Sequence, residues 1–225
     1  MPAGKPSPGP APAAARSVAV TNRQRTRRVD RRLLEQIAHV LLADLLGLPA
    51  YELSLCLLAA SAMTRLNETF VHHAGSTDVI TFDYGTDAEI PARVGRRSCE
   101  AAESQDPPRF GRSLALPELG FCASLPGTSD AGLVLHGEIF ICVDEALLQA
   151  RRFHTSWPSE VVRYLVHGVL HLRGFDDLQP AARRRMKREE DRLHRALATR
   201  FALSRLTPVA KPQNSRAEKS AWAAR

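Results

Sequence analysis

Residues 159–177 read SEVVRYLVHGVLHLRGFDD. The stretch is mostly apolar at helical spacing, which predicts a helix opened by Ser159 and closed by Gly174. His167 and His171 stand four residues apart on it, so both imidazoles point to one face and can chelate a single ion. Gly174 lets the chain leave through a left-handed turn. Asp177 follows ten residues after His167, where the chain can curl back to offer a third ligand. Three protein ligands with an open position is how catalytic zinc is held. A His pair at this spacing on an apolar helix is commonly no more than packed and hydrogen-bonded. The glycine and carboxylate at matching spacing are what point to a metal.

Working outward, HGEIFICVD (136–144) and YELSLCLL (51–58) read as buried strands, DVITFDY (78–84) as a β-branched and aromatic one, and SVAVTN (17–22) as a first strand. Asp30 caps a helix carried by Leu33, Leu34, Ile37, Leu41, Leu42, Leu45 and Leu46 and stopped by Gly47 and Pro49. Ser61 opens a short helix through Phe70. Two more helices are expected around 145–153 and over 180–202. Strands interleaved with helices give an α/β (α+β) domain. Between them, residues 85–131 hold 15 Gly, Pro and Ser among 47 positions and keep no period, so they are read as a loop-like insertion. Residues 1–16 are Pro/Ala/Gly-rich and expected to be disordered, and 203–225 is read as a polar, frayed tail.

The spacing of His167, His171 and Asp177 is also that of metzincin peptidases. Those enzymes place Glu directly after the first His as general base, whereas this chain has Gly168. Met186 sits in a charged helical run, so no Met-turn follows. Peptidase chemistry by the usual route is disfavoured. Two His and a carboxylate also suit iron, but such sites belong to β-rich jelly rolls and this pair is helical.

The chain has 225 residues, enough for one domain with length to spare. No apolar run reaches the roughly 20 residues of a membrane span, and no apolar core of a secretory signal opens the chain. Residues 1–29 carry arginines and no acids, a composition also found in organellar transit peptides. Cys56, Cys99, Cys122 and Cys142 form no C-x-x-C pair, and a reducing cytoplasm is the simplest expectation. The net charge of +7 is uneven. Residues 1–32 carry +7 and 180–202 carry +5, while 33–179 carry −9. A polyanionic partner is therefore to be sought on the two basic ends, Arg23, Arg25, Arg27, Arg28, Arg31 and Arg32 on one and Arg183, Arg184, Arg185, Lys187 and Arg188 on the other.

At residues 167–177 the chain resembles the YbeY family, rRNA maturation factors described as single-strand-specific, metal-dependent endoribonucleases. The family pattern H-G-x-L-H-L-x-G-[YF]-x-[HD] is matched from His167 to Asp177. The upstream signature appears as Leu66-Asn67, Phe70 and Thr77-Asp78-Val79-Ile80-Thr81-Phe82, and the G-[DE]-I-x-I strand as Gly137-Glu138-Ile139-Phe140-Ile141. Two positions depart from it. The third ligand, commonly His, is Asp177, and Val71 stands where many members carry an arginine thought to help bind or cleave RNA. His72 and His73 lie beside it.

The resemblance implies a single domain over 17–202, with a small mixed four-stranded sheet packed by about five helices and the metal site on a central helix. It implies one zinc ion on His167, His171 and Asp177, and a single-stranded rRNA substrate on the small ribosomal subunit, processed at the 16S 3′ end and in ribosome quality control. Arg23, Arg25 and Arg28 are the candidate substrate-binding residues. Asp176, Asp78 and Glu138 are considered as supporting acids, and no residue is assigned the proton transfer. An RNA-binding assembly factor with a mainly structural metal is the alternative expectation.

Overall fold

The computed structural model describes residues 15–85, 94–96 and 135–208. The lead-in before Ala15, the tail past residue 208, Cys99, Cys122 and most of the 85–131 insertion lie outside the described residues. Strands β1 (Arg16–Asn22), β2 (Tyr51–Leu58), β3 (Val79–Asp83), β4 (Val94–Arg96) and β5 (Leu135–Cys142) form one sheet in the order β1-β2-β5-β3-β4. β1, β2 and β5 run parallel, and β3 pairs antiparallel with both β5 and β4. The four expected strands form the mixed sheet, and three residues of the presumed loop, β4, add an outer edge.

Helix α1 (Arg31–His39) starts where Asp30 accepts a hydrogen bond from the Leu33 N–H at 3.1 Å, then widens into π-type turns over 40–45. Helix α2 (Ala60–Leu66) continues likewise over 67–71. Helices α3 (Val143–Arg152), α4 (Trp157–Leu172) and α5 (Pro180–Arg200) follow the last strand. The main core lies between the helices and one face of the sheet, with Leu34, Ile37, Leu55, Ile139, Val162 and Leu165 fully buried in it. The other face carries a smaller cluster of Cys56, Leu58, Met63, Leu66, Ile80 and Cys142, with Phe70, Phe82 and Phe140 meeting edge to face. Burial pushes the Cys142 thiol up to about 12, so it is an inert core residue.

Three boundaries differ from the sequence reading. Ser156, not Ser159, caps α4 by accepting from the Ser159 N–H, while the Ser159 hydroxyl meets the His194 ring. Ala60, not Ser61, begins α2, and Asp144 Oδ2 from the start of α3 accepts its N–H at 2.7 Å. Residues 203–206 are not frayed. They form a short 3-10 turn with Leu203 and Leu206 buried, and the Leu206 carbonyl accepts the Asp30 N–H at 2.9 Å. A local apolar pair with no period of its own gives no signal of such docking.

Helix α4 lies antiparallel to β5, touching β3, β5, α3 and α5. Gly168 is its seat on the sheet: a Cβ there would come within 2.9 Å of the Ile139 methyl groups and 3.2 Å of Thr81 Cγ2. At the other contact, a Cβ on Gly137 would meet the Phe82 carbonyl at 2.8 Å and the Leu172 methyls at 2.9 Å. Gly168→Ala should therefore destabilise the fold by roughly 1–3 kcal/mol in urea unfolding, and an unchanged midpoint would show that the helix is free to lift.

Strand alternation turns Glu138 away from α4, onto the face of Phe140. There it is buried, and among the described residues it accepts one long hydrogen bond, from the Tyr84 hydroxyl at 3.3 Å. Burial pushes its carboxyl up to about 7, against the pull of Tyr84 and the charge of Arg23. The folded chain thus keeps a proton that the unfolded chain releases near 4.5, and stability falls as pH rises through that window. Glu138→Gln should be neutral at about pH 4.5 and stabilising by roughly 2 kcal/mol at about pH 8, read from urea unfolding at both. An equal effect at both pH values would contradict this assignment.

Candidate metal centre

Two imidazoles inside an apolar helix need partners, and each finds one through Nδ1. His167, only 3% exposed, places Nδ1 at 3.0 Å from Glu190 Oε2 on α5. His171 Nδ1 donates to the Phe175 carbonyl at 3.0 Å. That second bond exists because Gly174, at φ +79°, reverses the chain so that Phe175 comes back over the helix end. A carboxylate and a carbonyl accept only, so both Nδ1 atoms carry the hydrogens of the neutral rings. Both Nε2 atoms then present lone pairs, and they face each other at 3.0 Å. Asp177 Oδ2 lies 4.0 Å from His167 Nε2, and the three ligand atoms fall within 4.8 Å of one another.

This donor set fits a divalent cation. Facing lone pairs beside a carboxylate repel unless a positive charge lies between them, and two nitrogens with one oxygen suit zinc and its neighbours. Burial, then His167, holds the His171 pKa below its ordinary value, with Asp177 opposing, so the ring favours the neutral form a ligand requires.

The sequence pattern assigns Glu190 no role, and the structure places it at the His pair. It is 1% exposed and accepts from Arg163 Nη1 at 2.9 Å and Lys187 Nζ at 2.8 Å as well as facing His167. A carboxylate so placed fixes the ring and raises its basicity. One signal was available: Met186, Leu193 and Leu197 form the buried stripe of α5, and Glu190 stands within it.

The other sequence candidates fall elsewhere. Asp176 is exposed and accepts the Leu178 N–H, shaping the turn. Asp78 is buried and accepts the Val79 N–H at 3.0 Å ahead of β3. Glu138 is across the sheet from α4 and supports nothing at the metal. His72 and His73 are exposed past the second π-type turn, and the neighbouring Val71 packs on the smaller cluster. Arg23, Arg25 and Arg28 are exposed on the β1–α1 turn. Arg27 of that turn shares a cavity with Trp157 at the start of α4, about 15 Å of helix from His167. The second basic group is at the metal loop itself: Arg183 Nε donates to the Asp177 carbonyl at 2.9 Å, and Arg185 lies 5.3 Å over the Phe175 ring.

Fold and site together define a mixed α/β domain with a His–His–carboxylate cluster of metal-ligand type on its central helix. Residues 19–198 match the family profile described as Endoribonuclease YbeY. The Endoribonuclease YbeY of Salinibacter ruber is 30% identical over 155 residues, 69% of this chain and 74% of that protein. That of Kineococcus radiotolerans is 28% identical over 186 residues, 83% of each. A solution structure from Thermotoga maritima is 16% identical, covers 88% of this chain and 99% of its own, and has a TM-score of 0.49. The chain belongs to the YbeY family of endoribonucleases.

Glu190→Gln should weaken metal binding about 10–100-fold in competition with a chromogenic chelator while leaving the helical circular dichroism in place. Unchanged affinity would mean that Glu190 serves the fold alone.

Proposed function

We propose that this chain is a zinc-dependent endoribonuclease that cleaves single-stranded rRNA during maturation of the small ribosomal subunit, including the 16S 3′ end, and in ribosome quality control. The observation that supports this most is the pair of facing Nε2 atoms, each ring locked by its own Nδ1 bond. His167, His171 and Asp177 would hold one zinc ion. Bound zinc supplies Lewis acidity and can bring the pKa of a bound water near 7.

The chain's own residues do the rest. Glu190 and the Phe175 carbonyl hold the two rings in the ligand tautomer. Gly168 leaves no room for a general base after His167, since any side chain there would run into β5, so peptidase chemistry is not supported. Arg183 and Arg185, fastened to the metal loop, place positive charge beside the cluster, suited to a phosphodiester. No described helix is long and apolar enough to cross a membrane, and cytoplasmic action is part of this proposal.

One observation favours a second reading, an RNA-binding assembly factor with a structural metal. Val71, where many relatives have arginine, is packed with Phe70 against the smaller core cluster and offers RNA no charge.

Purified protein with zinc should cleave single-stranded RNA and not casein, and His171→Ala should lose the metal and about 100-fold or more of the cleavage rate. Cleavage that persists in His171→Ala would overturn the nuclease proposal. Tight RNA binding with no cleavage in either protein would select the second reading.

A further inference from the structure

Beside the metal centre, between the end of α3, the first half of α4 and the start of α5, lies a cavity of about 490 Å³. None of the three ligand residues lines it, although Arg163 and Lys187 of its wall hold Glu190, the partner of His167. We propose that this cavity is a nucleotide subsite for the unpaired substrate strand, where a base stacks on Phe153 and its phosphate pairs with Arg152. The inference rests on the reading that the substrate is single-stranded RNA and adds where a flanking nucleotide is held.

Phe153 lines the cavity and is 61% exposed, one of three large apolar side chains so exposed among the described residues. It follows directly on α3, and the next residue, His154, takes φ +54°, so the chain turns sharply there. The Arg152 guanidinium lies 5.5 Å from the Phe153 ring centroid, and among the described residues Arg152 forms no ion pair. An exposed ring with an uncommitted guanidinium beside it is the combination that binds single strands: every base has a π-face, and the cation meets the backbone.

The opposite wall is fixed and polar. Arg163 and Lys187 are both held by Glu190, so their charges stay in place, and Glu160, buried, accepts from the Thr155 hydroxyl at 2.6 Å. That wall offers acceptors to exocyclic amines, its two cations being paired with Glu190 and Asp191. The lining combines apolar surface with these few polar groups, and the volume is in the range of small-ligand pockets. Paired bases cannot reach the ring, because they are stacked inside the duplex. The subsite therefore selects unpaired RNA.

Its position gives the strand a direction. Arg163 is one helical turn before His167, so the cavity adjoins the metal-ligating part of α4. Toward the start of α4, a second cavity of about 420 Å³ shares Thr155 with the first and is lined by Trp157, Arg151 and Arg27. A strand leaving the metal loop along this side of α4 would pass Phe153 and reach the basic β1–α1 turn.

The test uses the full chain, zinc and a labelled single-stranded RNA of about 12 nucleotides, read by fluorescence anisotropy and by cleavage kinetics. Phe153→Ala and Phe153→Leu should each raise Kd and KM about tenfold with kcat within about twofold and metal content unchanged, Phe153→Tyr should keep wild-type affinity, and Arg152→Ala should weaken binding and its salt dependence. Binding of the same RNA as a blunt duplex should not respond to Phe153→Ala. If Phe153→Leu binds as well as wild type, stacking is excluded and the subsite falls. If Phe153→Ala binds and cleaves normally, the subsite falls while the nuclease reading stands. If the wild-type protein neither binds nor cleaves the RNA, both fall.

Discussion

Two histidines four residues apart, His167 buried and His171 half-buried, set the terms for this molecule. On an apolar helix packed against the sheet, an imidazole nitrogen taken out of water without a partner loses the free energy of desolvation. The Nδ1 atoms are satisfied by protein, one by a carboxylate from α5 and one by a carbonyl past the helix end. The Nε2 atoms are left aimed at each other, with a carboxylate alongside. That arrangement is unfavourable as an empty core and favourable as the ligand set of a cation. Much of the remaining structure serves it: α5 crosses α4 to deliver Glu190, and Gly174 turns the chain back to deliver Phe175 and then Asp177.

The same helix has to lie close to the sheet, and Gly168 sets how close. Its neighbours in space are the methyl groups of Ile139 and Thr81, so the position that carries the base in a peptidase is here a packing contact. The chemistry available to the His pair is narrowed by the core behind it. Seating α4 on β3 and β5 also places its flank against α3, which opens the cavity beside the metal centre.

Charge follows this geometry more than chain order. The two basic segments, far apart in sequence, end up toward opposite ends of α4: the start of α5 at the metal loop and the β1–α1 turn near Trp157. Arg163 and Lys187, which lie between, are absorbed into the Glu190 network and ion-pair the buried carboxylate that faces the His167 ring. The far face of the sheet hides the opposite case, Glu138, a carboxylate whose burial outweighs the pull of Tyr84 and of Arg23.

The ligand motif and the main elements were legible from residues alone, because they rest on local periodicity. His167, His171, Gly174 and Asp177 are joined by one helix turn and one left-handed turn, whose geometry the spacing dictates. Asp30 capping α1 is of the same kind. What only the tertiary structure decided involves partners distant in the chain. Glu190 meets His167 across 23 residues, Asp144 caps α2 across 84, and Leu206 closes on Asp30 from the far end of the domain. In each of these the local pattern is silent, since a carboxylate on a helix stripe or a leucine after a helix has many possible fates. Burial against a specific neighbour selects among them, and that neighbour is set by how the sheet and helices stack.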